Sequence, residues 1–280
     1  MQNILITGVS TGIGYSCVKA FIKRGDRVFG SVRKQSDADK LKSEFGANFI
    51  PLLFDVTDQE AIDKSYLEVE KILNGQGLDC LINNSGIAEG GPILHIDIEK
   101  IKKHFDINVI GLFRVTKKFL PLLGARKNHN YKAGRILNVT SVAGKISAPM
   151  IGPYAGSKHA VEGMSHSLRR ELLIYGIKVV IVAPGAVITP IWDKGIDEEA
   201  FKNTDYGDSI KLFADQARKK AEKGFTSDKV ANDIVKIFET PNPKVRYAIV
   251  PNSLVNWYIP RILPHKLIDL IIGKTMKLIK

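Results

Sequence analysis

Only two cysteines occur in the 280 residues, so neither a disulfide scaffold nor a metal centre is expected. Cys17 and Cys80 lie within the apolar-patterned stretches SCVKAFI and DCLINN, where a free thiol packs as a small buried hydrophobe. No apolar run reaches about 18 residues, the length a bilayer-spanning helix needs. The chain opens with QNILITG, a strand already entering a glycine loop, which leaves no room for a cleavable leader. A cytoplasmic protein is therefore expected. Repeats and low-complexity tracts are missing, and a composition of 44% hydrophobic and 25% charged residues is that of an ordinary folded domain. The net charge of +12 is carried by lysines scattered over helix faces, as in KIKKHF and ARKK, with no basic stripe interleaved with aromatics. No nucleic-acid partner is expected.

What the chain does have is alternation. Short runs rich in Val, Ile and Leu at residues 3–7, 27–32, 48–54, 79–83, 135–140, 178–182 and 247–250 read as strands buried on both faces. Between them, helical periodicity marks residues 13–24, 37–45, 58–73, 97–127, 153–175 and 228–239. Thr57 with Glu60 forms a capping-box pattern, Ser227 precedes an apolar-periodic run, and the long 97–127 stretch is expected to break near Asn108. Such alternation predicts a single doubly wound α/β domain, with seven parallel strands flanked by helices. Residues 188–226 form a polar insertion in the position of a lid, and 251–280 a tail outside the repeating units.

ILITGVSTGIG puts Gly8, Gly12 and Gly14 between the first strand and the first helix, where backbone N–H groups can receive a pyrophosphate. The second strand ends in Arg33 and Lys34 with no acid in the position that would accept from a ribose 2′-hydroxyl. A guanidinium there suits a 2′-phosphate, so NADP(H) is expected over NAD(H).

Tyr154 and Lys158 stand one helical turn apart on one face. The same spacing recurs at Tyr15 and Lys19, so alone it carries little. Ser141, thirteen residues before Tyr154 at the end of the fifth strand, sets the second pair apart, as does Pro153 at the start of the helix.

In order along the chain, TGVSTGIG at 7–14, Asp55 in FDVTD, NNSG at 83–86, Asn108 in INVIG, Ser141, YAGSK at 154–158 and PGAVIT at 184–189 resemble the short-chain dehydrogenase/reductase family. The resemblance covers residues 1–250 and implies a Rossmann-type catalytic domain. It implies that Asn108, Ser141, Tyr154 and Lys158 carry the chemistry, with Asn108 holding a water on the proton path. A lysine ammonium beside the phenol should move Tyr154 toward the working pH. Cofactor contacts are expected from Gly8, Ser10, Thr11, Gly12, Ile13, Gly14, Arg33, Asp55, Val56, Asn83, Ser85, Gly86, Tyr154, Lys158, Pro184, Gly185, Val187 and Thr189. Thr11 stands where NADP-preferring members often carry Arg or Lys, which leaves Arg33 as the support for that preference.

Ile188, Ile191, Trp192, Phe201, Ile210 and Phe213 could line an apolar pocket or pack the insertion onto the sheet. The tail carries Trp257, Tyr258, Arg261, Lys266, Lys274, Lys277 and Lys280 among aliphatics, a basic amphipathic pattern suited to an anionic membrane surface, to a subunit interface or to covering the pocket. With KVRYAIVPN before it, the tail resembles the 17β-hydroxysteroid and retinol dehydrogenase branch and implies a lipophilic ketone, aldehyde or alcohol as substrate. The family also implies a homodimer or homotetramer formed through the helices at 97–127 and 153–175. A non-catalytic NADP(H) sensor on the same fold is the rival reading.

Overall fold

A computed structural model describes residues 1–189, 191, 195 and 197–279. Seven parallel strands form the main sheet: β1 (Asn3–Ile6), β2 (Arg27–Val32), β3 (Phe49–Leu53), β4 (Cys80–Asn83), β5 (Arg135–Val139), β6 (Lys178–Pro184) and, after a small separate pair, β9 (Arg246–Ile249). Their spatial order is β3-β2-β1-β4-β5-β6-β9. The chain winds outward one way from β1 to β3 and the other way from β4 onward. The strand ends of β1 and β4 therefore leave a crevice between diverging connections, where open α/β sheets bind ligands.

Alternation along each strand fills both faces. Ile4, Ile6, Val28 and Ile82 pack with Val18 and Phe21 of α1 (Gly12–Lys23), Leu41 of α2 (Gln35–Phe45) and Ile234 of α9 (Ser227–Glu239). Leu5, Phe29, Leu81 and Ile136 point the other way, to Ile62 and Val69 of α3 (Gln59–Leu73) and to Val115 and Phe119 of α5 (Leu112–Phe119). Phe21 and Phe29 are fully buried on opposite faces, each worth about 1.5–3 kcal/mol of apolar transfer. Cys17 and Cys80 are free and buried, and burial pushes both thiols up.

The helix expected to break near Asn108 does not break. Helix α4 (Ile98–Phe105) widens into a π turn at Asp106–Gly111 and continues as α5. The wider turn carries the Asn108 side chain into bonds with a neighbouring loop, and at Gly111 a Cβ would meet the Val56 side chain at 2.7 Å. Two cap expectations shift by one residue. Asp58, not Thr57, caps α3 by accepting from the Ala61 N–H at 3.0 Å, because the Thr57 hydroxyl donates to Asp55 at 2.8 Å. Thr226, not Ser227, caps α9 through the Lys229 N–H.

The described part of the 188–226 insertion contains regular elements. It holds α7 (Glu198–Phe201) and α8 (Gly207–Glu222), and β7 (Val187–Ile188) pairs in parallel with β8 (Phe225–Thr226) to close its base. Phe201 and Ile210 are buried against Met150, which ties the insertion to the loop preceding α6 (Gly152–Glu171). Trp192 and Lys280 lie outside the described residues. The tail folds as a π turn at Leu254–Tyr258 followed by α10 (Ile259–Ile262) and α11 (His265–Thr275).

Candidate active site

At the end of β1 the chain must turn sharply while its neighbours approach. Gly8 and Gly12 adopt φ of +69° and +61°, the left-handed region that favours glycine. A Cβ on Gly14 would lie 2.2 Å from the Gly8 carbonyl oxygen and 2.6 Å from Nδ2 of Asn84, so no larger residue fits. The loop is pinned from both sides. The Gly8 N–H donates to the Ser31 hydroxyl at 3.0 Å, and Nδ2 of Asn84 donates to the carbonyls of Thr7 and Gly8. Helix α1 begins with no side-chain cap, which leaves its first N–H groups open to a cleft lined by Gly8, Ser10, Thr11, Gly12 and Ile13.

One end of this cleft is lined by Arg33, Lys34 and Asp37 after β2 and by Asp55 and Val56 after β3. The Arg33 side chain is 74% exposed and its guanidinium stands 3.8 Å from the Asp55 carboxylate. A charge-assisted partner arriving from solvent can therefore engage Arg33 without breaking a buried bond. Ser85 and Gly86 form the floor with Asn84, while Asn83 does not. Its side chain is buried and turned away, donating to Thr116 and Asn138 at 2.8 Å each.

The other end is lined by Ser141, Tyr154, Lys158, Pro184, Gly185, Val187 and Thr189. Tyr154 and Lys158 share the inward face of α6, and Ser141 lies at the end of β5. The Ser141 hydroxyl hydrogen-bonds the Tyr154 side chain. Lys158 Nζ donates to the Val139 carbonyl at 3.2 Å and lies 5.7 Å from the centre of the Tyr154 ring. The expectation that lysine would pull the phenol down is not met. Burial raises Tyr154, with the Ser141 hydrogen bond acting the other way. Lys158 is itself buried, and loss of solvent brings its pKa down to about 8.

Asn108 is brought to the site but does not line the cleft. Its Oδ1 accepts from the Ile87 N–H at 2.8 Å, while Nδ2 donates to the Ile87 carbonyl and the Ser157 hydroxyl at 3.0 Å each. With both amide hydrogens engaged, the side chain fastens the loop beside Lys158 to α6. Of the proposed apolar set, Ile191 lines the cleft, Phe213 packs against the cluster that holds Tyr154, and Phe201 and Ile210 pack on Met150. Asn84, within the expected 83–86 stretch, lines both ends of the cleft.

The continuous groove, the positive-φ glycines and the open helix terminus fit an extended anionic dinucleotide. A Cβ on Gly12 would stand 3.3 Å from the Thr189 side chain and intrude on the groove that both residues line. Fold and site define a dinucleotide-binding oxidoreductase architecture. Residues 2–200 match the short chain dehydrogenase family, and the chain belongs to it. An NADPH-dependent 3-dehydrocapnine reductase of Ornithobacterium rhinotracheale is 39% identical, covering 99% of this chain and 98% of the relative. A 3-ketodihydrosphingosine reductase of Bacteroides thetaiotaomicron is 32% identical over 89% of this chain and 88% of its own. Among solved structures, the closed form of a serine dehydrogenase complexed with NADP+ superposes with a TM-score of 0.76 at 26% identity, covering 90% of this chain and 96% of that one.

Burial of Lys158 has a stability consequence. Its folded pKa of about 8 lies below the ordinary 10.5, so between those values the unfolded chain holds more protons and stability rises with pH. Below about pH 8 the penalty is present in full. Lys158→Met should therefore stabilise the protein at pH 7 by about 2 kcal/mol, the lost Val139 bond offsetting part of the gain. Thermal melts should show this margin closing as the pH approaches 10.

Proposed function

We propose that the protein is an NADPH-dependent reductase that converts a keto group on a lipophilic substrate to a secondary alcohol, with a 3-keto long-chain amino lipid as the substrate class. The observation that carries this reading is the convergence of the Ser141 hydroxyl and the Tyr154 phenol, bonded to each other, at the end of a dinucleotide-shaped groove. Bound NADPH supplies the hydride.

The chain's own residues do the rest. Ser141 donates to the carbonyl oxygen as negative charge develops there. Tyr154 delivers the proton to the same oxygen. Burial holds the phenol protonated at neutral pH, which is the state an acid needs in the reducing direction. Lys158 keeps most of its charge at pH 7 with a pKa of about 8, and its ammonium balances the charge that Tyr154 acquires as the proton leaves. Arg33 and Lys34 take the 2′-phosphate, and Asp55 and Val56 the adenine end. Residues 1–250 act as the catalytic domain with 188–226 over its mouth.

The substrate class rests on the names of the two relatives, a 3-dehydrocapnine reductase and a 3-ketodihydrosphingosine reductase, and on the apolar packing of Ala88, Ala143, Ile151 and Phe213 with Tyr154. Steroids and retinoids have only the resemblance of the tail in their favour. Within 251–280 the exposed Leu254, Val255, Ile262, Leu267, Leu270 and Ile271 lie among cations with Asp269 as the one acid, which favours peripheral contact with an anionic membrane. No helix among the described residues is long and apolar enough to cross a membrane. Exposed Phe105, Ile110 and Met164 on the helices expected to pair support a homo-oligomer.

Purified protein should oxidise NADPH with 3-ketodihydrosphingosine faster than with steroid ketones or retinal, and Tyr154→Phe should lower kcat by about 10²- to 10⁴-fold. Tight NADPH binding with no turnover of any ketone would instead favour the sensor. Arg33→Ala should weaken NADPH by about 10- to 100-fold and leave NADH unchanged, the loss expected for one charged hydrogen-bonding partner. Fluorescence titration with both nucleotides reads this directly. Deleting residues 264–280 should abolish co-sedimentation with phosphatidylserine vesicles, and unchanged sedimentation would end the membrane assignment.

A further inference from the structure

One turn beyond Lys158 on the same inward face of α6 lies Glu162, a carboxylate with no exposed surface. Burying it is costly, and an apolar side chain of similar size would serve the packing at least as well. Its partners explain its presence. The Arg246 guanidinium grips it from β9, with Nε at 3.0 and 3.1 Å from the two oxygens and Nη2 at 2.8 Å from Oε1. The Thr140 hydroxyl donates to Oε1 at 3.2 Å, and Lys145 Nζ stands 3.5 Å from Oε2. Gly144 lies against the same carboxylate so closely that a Cβ there would be 2.8 Å from Oε1. Arg246 Nη2 also approaches the Ser141 carbonyl at 3.4 Å.

Thr140, Ser141, Gly144 and Lys145 belong to one short turn. Inside it the Ala143 N–H donates to the Ser141 hydroxyl at 3.1 Å, and the Gly144 N–H donates to the Ser141 carbonyl at 2.9 Å. The ion pair therefore holds the turn on both sides of the serine whose hydroxyl reaches Tyr154. From the far side Trp257 of the tail closes the pair off. Its ring centre lies 4.1 Å from the Arg246 guanidinium and 4.3 Å from that of Arg261, cation–π contacts that restrain Arg246 beside Glu162.

We propose that Glu162 and Arg246 are positioning residues that set the Ser141 hydroxyl for catalysis, and that Trp257 of the C-terminal tail locks them in place. This rests on the reading of Ser141 and Tyr154 given above. The pair touches neither substrate nor cofactor and acts through the turn. The tail thereby becomes part of the catalytic apparatus, whatever else its outer face meets.

The test is a set of variants assayed with NADPH and 3-ketodihydrosphingosine. Arg246→Met and Glu162→Gln should each lower kcat by about 10- to 100-fold, the scale of a misplaced catalytic group, with the NADPH dissociation constant unchanged within about twofold. Arg246→Lys should recover only part of the rate, because an ammonium cannot reproduce the paired geometry. Trp257→Leu should give a smaller loss in the same direction. Placed on Ser141→Ala, Arg246→Met should cost nothing further in kcat, since the group it positions is already gone. The double variant Glu162→Met with Arg246→Met removes the buried charges together and guards against simple unfolding of the single variants. It should melt near the wild-type temperature yet stay slow, and its amides in residues 142–146 should exchange hydrogen faster. Wild-type turnover in that double variant, or losses from Ser141→Ala and Arg246→Met that multiply, would overturn the proposal. Full activity of Ser141→Ala by itself would instead remove the reading of the site on which it rests.

Discussion

Helix α6 turns a polar face inward, and the site depends on how that face is satisfied. Tyr154, Ser157, Lys158, Glu162 and Ser165 are all buried on it. In water such a face would be ordinary, but against strand ends each group needs a partner or costs free energy. Each has one. Ser157 joins Asn108 and the Tyr154 carbonyl, Lys158 reaches the Val139 carbonyl, Glu162 meets Arg246, and Ser165 accepts from Asn138. These bonds hold the helix at one height over β5, so the distance between Ser141 and Tyr154 is set by many contacts and not by those two residues alone.

The same logic runs through the glycine loop. Thr7 accepts from the N–H groups of Asn84 and Ser85, and Asn84 returns bonds to Thr7 and Gly8. The strand ends of β1 and β4 are thus stitched together at the switch point, and the crevice between them is fixed before any cofactor enters. Preorganisation of this kind spares the ordering cost at binding. Arg33 is the contrast. Exposed and only loosely associated with Asp55, it keeps the freedom a selective anion contact requires.

The central strands were legible because they are buried on both faces and read as unbroken apolar runs, and the glycine loop because its residues have few substitutes. That Ser141, Tyr154 and Lys158 meet in one cleft was legible from their joint spacing, because helix periodicity puts Tyr154 and Lys158 on one face and the end of the fifth strand supplies Ser141. What the spacing does not carry is the environment. The phenol is pushed up because it is buried, and nothing in YAGSK records its solvent exposure. Asn108 was legible as an irregular point in a helix, but whether a helix breaks or widens there depends on the loop at Ile87 that takes its amide. The packing of the insertion was hidden for a similar reason, because Phe201 and Ile210 find Met150, a partner distant in sequence.

Glu162 shows how far that limit extends. Glu162 falls inside the helix read at 153–175 and Arg246 just before the strand read at 247–250, and neither pattern singles them out. Neither has a reason to be buried until the fold brings β9 beside β6 and sets Trp257 of the tail against Arg246. The sheet then leaves a gap behind Ser141 that is bounded by carbonyl and hydroxyl groups. An apolar filler would pack there but could not hold the Thr140 hydroxyl or the turn at Gly144, whereas a carboxylate can, at the price of a buried charge that only a guanidinium in paired geometry offsets. An aromatic over that guanidinium follows from the same requirement, because the remaining face would otherwise draw water into the back of the site.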